Sequence, residues 1–124
     1  MINGNLNVTI VKMGMKIRVL EFVSDNISPF GKWFEKLDYQ VAAKIAIALY
    51  RLEQGNFSNV KSIGKGISEY KITFGPGYRI YFGQDGPEII ILLGGGSKKT
   101  QPADIEKAQQ IWAEYKRRKI EARR

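Results

Sequence analysis

"YKITFGPGYRIYFG", residues 70–83, decides the fold, because it reads as two short strands around a Gly75-Pro76-Gly77 bend. With a three-residue connection, Phe74 faces Tyr78, Ile72 faces Ile80 and Tyr70 faces Phe82. Side chains alternate faces along a strand, so these residues share one apolar face. The other face receives Glu69, Lys71, Thr73, Arg79 and Tyr81. One face is suited to a core, while the other gathers cations, a carboxylate and a phenol.

Upstream, "KIRVLEF" (16–22) suits a strand, and Ser28-Pro29 opens a helix, with Ser as N-cap and Pro at the first helical position. Phe30, Trp33, Phe34 and Leu37 then fall at helical spacing on one stripe. After a short connection near Asp38, Val41, Ile45, Leu49 and Leu52 mark a second helix that Gly55 stops. The two helices are expected to form an antiparallel hairpin whose aromatic stripe is core. A strand from Val60, the 67–83 hairpin and a Gln84-Asp85-Gly86-Pro87 turn follow. "EIIILLGGG" (88–96) is apolar at every position from Ile89 to Leu93, which predicts a central strand covered on both faces. A last helix is predicted from around Thr100 to Pro102, with Ile105, Ala108, Trp112 and Tyr115 facing inward. It ends in the basic tail "KRRKIEARR". The fold class is α+β: strand, two helices, three or four strands, helix, in one small sheet.

At 124 residues the chain is long enough for one domain with a single core. It has no cysteine and no histidine, which removes disulfides, thiolate nucleophiles, the usual general base and the commonest metal ligands. Catalysis would run on Lys, Arg, Tyr, Glu and Asp, with no metal and no small-molecule cofactor. No apolar run approaches the roughly 20 residues that span a bilayer, and "MINGNLNVTIVKMGMK" lacks a signal peptide's pattern. The expectation is a cytoplasmic protein with no membrane partner. The 20 Lys+Arg against 12 Asp+Glu give a net charge of +8, which favours nucleic acid, then an acidic protein, as the partner.

The segment "RLEQGNFSNVKSIGKGISEYKITFGPGYRIYFG" followed by "LLGGGSKKTQPADIEKA" resembles the RelE/ParE toxin superfamily, in particular its addiction-module killer proteins. The resemblance runs over about residues 16–115. It implies a RelE-like fold, an antiparallel-rich sheet with two helices packed on it, over a single domain at 15–124. Residues 1–14 match nothing in that pattern and are assigned as an N-terminal extension, either disordered or an extra edge strand, which "NVTIV" would suit. The resemblance further implies a bacterial toxin neutralised by a cognate antitoxin. Many such toxins cleave mRNA on the translating ribosome; the ParE branch inhibits DNA gyrase instead. Lys71 stands where the family usually has Arg, and Ser97 where it usually has Asp.

Metal-free RNA cleavage needs a base for the 2′-hydroxyl proton, cations for the phosphorane and an acid for the leaving 5′-oxygen. Arg79 has the fork that matches two phosphate oxygens. Lys71, one position along on the partner strand, shares the charge. Lys98, beyond the glycines, serves as base or acid; Glu69 serves as base or orients Arg79 and Lys71; Tyr81 donates a proton or stacks on a base. Lys61, Lys65 and Lys99 guide the RNA backbone. The duller readings are a cross-strand ion pair for Glu69 and a plain loop for Lys98 and Lys99. Besides a ribosome-dependent endoribonuclease, a gyrase inhibitor and a catalytically idle antitoxin-binding module stay open.

Overall fold

The structure, a computed structural model, describes residues 16–123; the 1–14 extension with its "NVTIV" stretch lies outside the described residues. Strands β1 (Arg18–Glu21), β2 (Val60–Gly64), β3 (Ile67–Ile72), β4 (Tyr78–Gln84) and β5 (Ile89–Ser97) form one sheet in the order β1-β5-β4-β3-β2. Helices α1 (Pro29–Glu35) and α2 (Tyr39–Glu53) connect β1 to β2. A 3₁₀ turn at Lys98–Thr100 leads from β5 into α3 (Gln101–Ala122). The β1–β5 pair is parallel and the other pairs are antiparallel, so the α+β expectation holds, with four strands after the helices. No helix among the described residues is long and apolar enough to cross a membrane.

The helix ends are where the local chemistry places them. The Ser28 hydroxyl accepts from the Gly31 N–H at 2.9 Å, and Pro29 occupies the first turn of α1, where its missing N–H costs nothing. At the end of α2, Gly55 has φ +78°; its N–H donates to the Leu52 carbonyl and the Asn56 N–H to the Arg51 carbonyl. That is a Schellman motif, which needs the left-handed residue that glycine supplies. The helical hairpin is not evident, however. The main contacts of α1 are with β5 and those of α2 with β1 and β3, so each helix lies separately on the sheet. The aromatic stripe still does what its spacing requires. Phe30 is buried, and Trp33, Phe34 and Leu37 pack with Val41, Ile45 and Leu52 against Tyr70, Ile72, Ile80, Phe82, Ile90 and Leu92.

The β3–β4 register differs from the expected one by two residues. Ile72 faces Tyr78, Lys71 faces Arg79, Tyr70 faces Ile80 and Glu69 faces Tyr81. The cause is the connection, which runs through residues 73–77 instead of three residues. The Gly77 N–H donates to the Phe74 carbonyl at 2.9 Å, closing a turn in which Gly75 (φ +55°) and Gly77 (φ +86°) are both left-handed. An even slip keeps every side chain on its expected face. In β5, Ile90 and Leu92 enter the core under α1 and α2, while Ile91 and Leu93 enter a second core under α3. The apolar run is therefore covered on both faces, as its pattern predicts, although the middle strand of the sheet is β4.

Helix α3 builds that second core by laying Ala108 and Trp112 across Ile67, Tyr81, Ile91 and Leu93. Trp112 lies so close to β4 that a Cβ at Gly83 would sit 2.5 Å from its ring. Gly83→Ala should therefore cost about 1–3 kcal/mol through overpacking, read as a lower urea midpoint at unchanged slope. Further along, Asp85 accepts hydrogen bonds from Tyr115 and from Lys119, and those donors hold its carboxyl below the usual range. The basic tail is held in the helix: Arg117 and Arg118 pair with Glu114, and Arg118 also lies over the Phe22 ring.

Candidate functional site

The pairing of β2, β3 and β4 sets out the site in two rows. Lys61 faces Glu69, which faces Tyr81; one step further, Lys71 faces Arg79 directly, not one position along. Helix α3 closes over this face, a covering the sequence pattern did not foretell. Glu69 is 5 % exposed, Arg79 6 % and Tyr81 fully buried. The candidate residues thus lie beneath the first turn of a helix and not on an open sheet surface.

Within the cluster, Gln101 of α3 donates its side-chain N–H to Glu69 Oε1 at 3.1 Å. Arg79 Nε lies 3.7 Å from the same oxygen, near enough for Coulomb attraction and too far for a hydrogen bond. Asp104, one turn into α3, accepts from the Thr100 hydroxyl at 2.5 Å. Its carboxylate occupies the space that a side chain at Gly96 would fill. Among the described residues, three buried side-chain atoms have no hydrogen-bond partner: Arg79 Nε, Arg79 Nη1 and the Tyr81 hydroxyl. Burial, then the negative charge of Glu69 and Asp104, pushes the Tyr81 hydroxyl up to about 12, against the pull of Arg79. Tyr81 is a neutral phenol, a donor with nothing to donate to. Burying a polar group without a partner costs about 1–3 kcal/mol, so each such group in a folded chain calls for an explanation, a catalytic role or a bound ion among them.

Around the cluster, Lys61, Lys71, Lys98 and Lys99 are exposed. Lys98 stands at the same end as Arg79, its backbone N–H donating to the Gly77 carbonyl at 3.1 Å, while Arg79 Nη1 reaches toward Gly77. Lys65 is not part of this group: it sits left-handed (φ +54°) in the β2–β3 turn at the other end of β3, next to Gly66, whose Cα faces Trp112. The pattern reading missed Gln101 and Asp104. Their spacing of three in "QPAD" at a helix start puts both on one side of the first turn, a signal that was present in the sequence.

The arrangement suits a tetrahedral oxyanion. A guanidinium with unfilled donors and a neutral phenol would bond phosphate oxygens, and the surrounding lysines would balance the charge. A plain structural ion pair would fill the fork of Arg79, and here the fork is not filled.

Residues 32–116, from α1 to the middle of α3, match the family model described as phage derived protein Gp49-like (DUF891). The chain is also 41 % identical over 83 residues to an uncharacterized protein of Haemophilus influenzae, an alignment covering 66 % of this chain and 84 % of that protein.

Proposed function

Because the chain belongs to the Gp49-like family of phage-derived proteins, we propose that it is the toxin of a bacterial toxin–antitoxin pair and that it cuts translated mRNA. The family membership and the resemblance of the 51–83 and 92–108 motifs to RelE/ParE toxins support the toxin reading. The observation that carries the chemistry is the unfilled pair of donors, Arg79 and Tyr81, in one buried cluster ringed by lysines.

In this reading Arg79 holds the scissile phosphate through its fork, and Lys71 and Lys98 share the charge that builds on the phosphorane. Glu69, oriented by Gln101, takes the 2′-hydroxyl proton as the 2′-oxygen attacks phosphorus. The bond from phosphorus to the 5′-oxygen breaks, and Tyr81 gives its proton to that oxygen. The products are a 2′,3′-cyclic phosphate and a 5′-hydroxyl, and no metal takes part. Substrate enters where Gln101 now rests on Glu69, so the first turn of α3 shifts on binding. Lys61 and Lys99 lie outside the cluster and guide the RNA backbone. The partners are the ribosome with its mRNA, and an antitoxin.

The burial of Glu69, Arg79 and Tyr81 favours a second reading, an idle antitoxin-binding module in which the cluster only holds α3 to the sheet. A translation extract separates the readings. Added protein should leave mRNA fragments with 2′,3′-cyclic phosphate ends and should leave DNA gyrase supercoiling untouched. Intact mRNA with blocked supercoiling would mean a gyrase inhibitor, and no effect in either assay would mean the idle module.

A further inference from the structure

Strand β1 pairs with β5 only as far as Leu92; the Phe22 N–H donates to the Leu92 carbonyl at 3.0 Å and the chain then leaves the sheet. Strand β5 continues to Ser97, bonded to β4 along one edge. Among the described residues, its other edge has no strand partner from Gly94 onward. An uncovered edge is a template for another strand.

This edge is the floor of a cleft of about 320 Å³ between α1 and α3. Gly94 is open to it, with nothing within 4 Å of where a Cβ would stand, whereas Gly95 is covered by the Trp33 ring. Lys32 and Lys36 line the α1 wall and Lys107 the α3 wall. All three are exposed and make no ion pair among the described residues. The acid in the cleft, Asp104, is hydrogen-bonded to Thr100. The cleft thus carries three lysines against one carboxylate, with the unbalanced positive charge on the α1 wall, and an unpaired backbone edge between the walls.

We propose that this cleft is a docking site for an extended acidic segment of a partner protein, added to β5 as a further strand. Two features select a peptide strand over a polynucleotide. The floor offers backbone donors and acceptors at strand spacing, which match another peptide backbone. Side chains of an added strand point alternately to the two faces of the sheet, so successive carboxylates meet Lys32 and Lys36 on one side and Lys107 on the other. The site deepens the partner side of the toxin reading, on which it rests for the source of the segment: an antitoxin.

The test is an NMR titration of the ¹⁵N-labelled full chain with the peptide acetyl-Val-Glu-Asp-Glu-Asp-Val-amide, which places carboxylates on both faces of an added strand and needs no toxicity. The expected result is saturable shifts at the Gly94, Gly95 and Gly96 amides, slower exchange of the amide hydrogens in this stretch that point to the open edge, and at least tenfold weaker binding by Lys32→Glu/Lys36→Glu. Because both lysines are exposed, that variant should keep the amide spectrum of a folded chain. Unchanged affinity in the variant, or shifts that miss Gly94–Gly96, would overturn the proposal. So would perturbation of the same glycines by oligo-uridine but not by the peptide, which would make the cleft a nucleic-acid groove. In cells, Lys32→Glu/Lys36→Glu should remain toxic and escape neutralisation. A harmless natural chain would count against the toxin reading and leave the peptide result standing.

Discussion

Arg79→Ala is expected to lose about 3–5 kcal/mol of folding stability, because it leaves the Glu69 carboxylate buried without its cation. A domain of this kind has only about 5–15 kcal/mol in all, so much of the variant would be unfolded in a cell. Loss of toxicity in this variant would then say little about catalysis. Replacing both partners by apolar residues of similar volume removes the uncompensated charge, and such exchanges are often neutral or stabilising. Glu69→Met/Arg79→Met should therefore hold a urea midpoint close to that of the natural chain. If Arg79 carries the scissile phosphate and Glu69 is the base, the double variant should cleave at least about 10²- to 10³-fold more slowly, the usual loss for one oxyanion donor, with the loss of the base added to it. A folded double variant that cleaves at the normal rate would remove Arg79 from the site.

Tyr81→Phe should do the reverse of Arg79→Ala. Among the described residues the Tyr81 hydroxyl has no hydrogen-bond partner, so deleting it removes a buried polar atom and no bond. The variant should melt at the same temperature as the natural chain or higher. Burial, then the charge of Glu69 and Asp104, raises the Tyr81 hydroxyl from 10.0 to about 12, so ionising it costs the native state more than the unfolded chain. Below pH 10 the phenol is neutral in both states and no stability is lost; the loss grows as pH rises from 10 to 12. Two units correspond to about 3 kcal/mol, so alkaline denaturation of Tyr81→Phe should begin at higher pH than that of the natural chain. Cleavage should nonetheless fall by about 10²- to 10⁴-fold, the contribution of a positioned proton donor. Only a catalytic role predicts lost activity beside gained stability.

The alternation in "YKITFGPGYRIYFG" placed Tyr70, Ile72, Ile80 and Phe82 on one face and Glu69, Lys71, Arg79 and Tyr81 on the other, and both assignments stand in the structure. The register was off by two because counting residues between strands cannot reveal that Gly75 and Gly77 both turn left-handed and that Thr73 and Phe74 join the loop. The Ser28 cap, the Gly55 stop and the apolar β5 run depend on neighbours in sequence, and they were legible for that reason. The place of α3 depends on distant contacts. Trp112 fits only because Gly66 and Gly83 lack side chains, and Asp104 fits only because Gly96 does. Those pairings are far apart in the chain, so the periodicity of α3 showed which side is apolar without showing which face of the sheet it covers. The same gap hid the helical layout: Phe30 and Val41 share a core, yet α1 and α2 reach it separately. For the site, residue chemistry picked out Arg79, Glu69 and Tyr81 together. Their burial, and the part of Gln101, came from α3 and so from the fold.

The central claim is that the unfilled donors of Arg79 and Tyr81 form a phosphate site. Primer extension on cellular mRNAs after induced expression tests it most directly, with natural chain and Tyr81→Phe side by side at matched soluble levels. The expected result is new cuts within translated regions for the natural chain and their loss in a Tyr81→Phe protein that is at least as stable. Equal cutting by both would contradict it, leaving the cluster as a brace between α3 and the sheet.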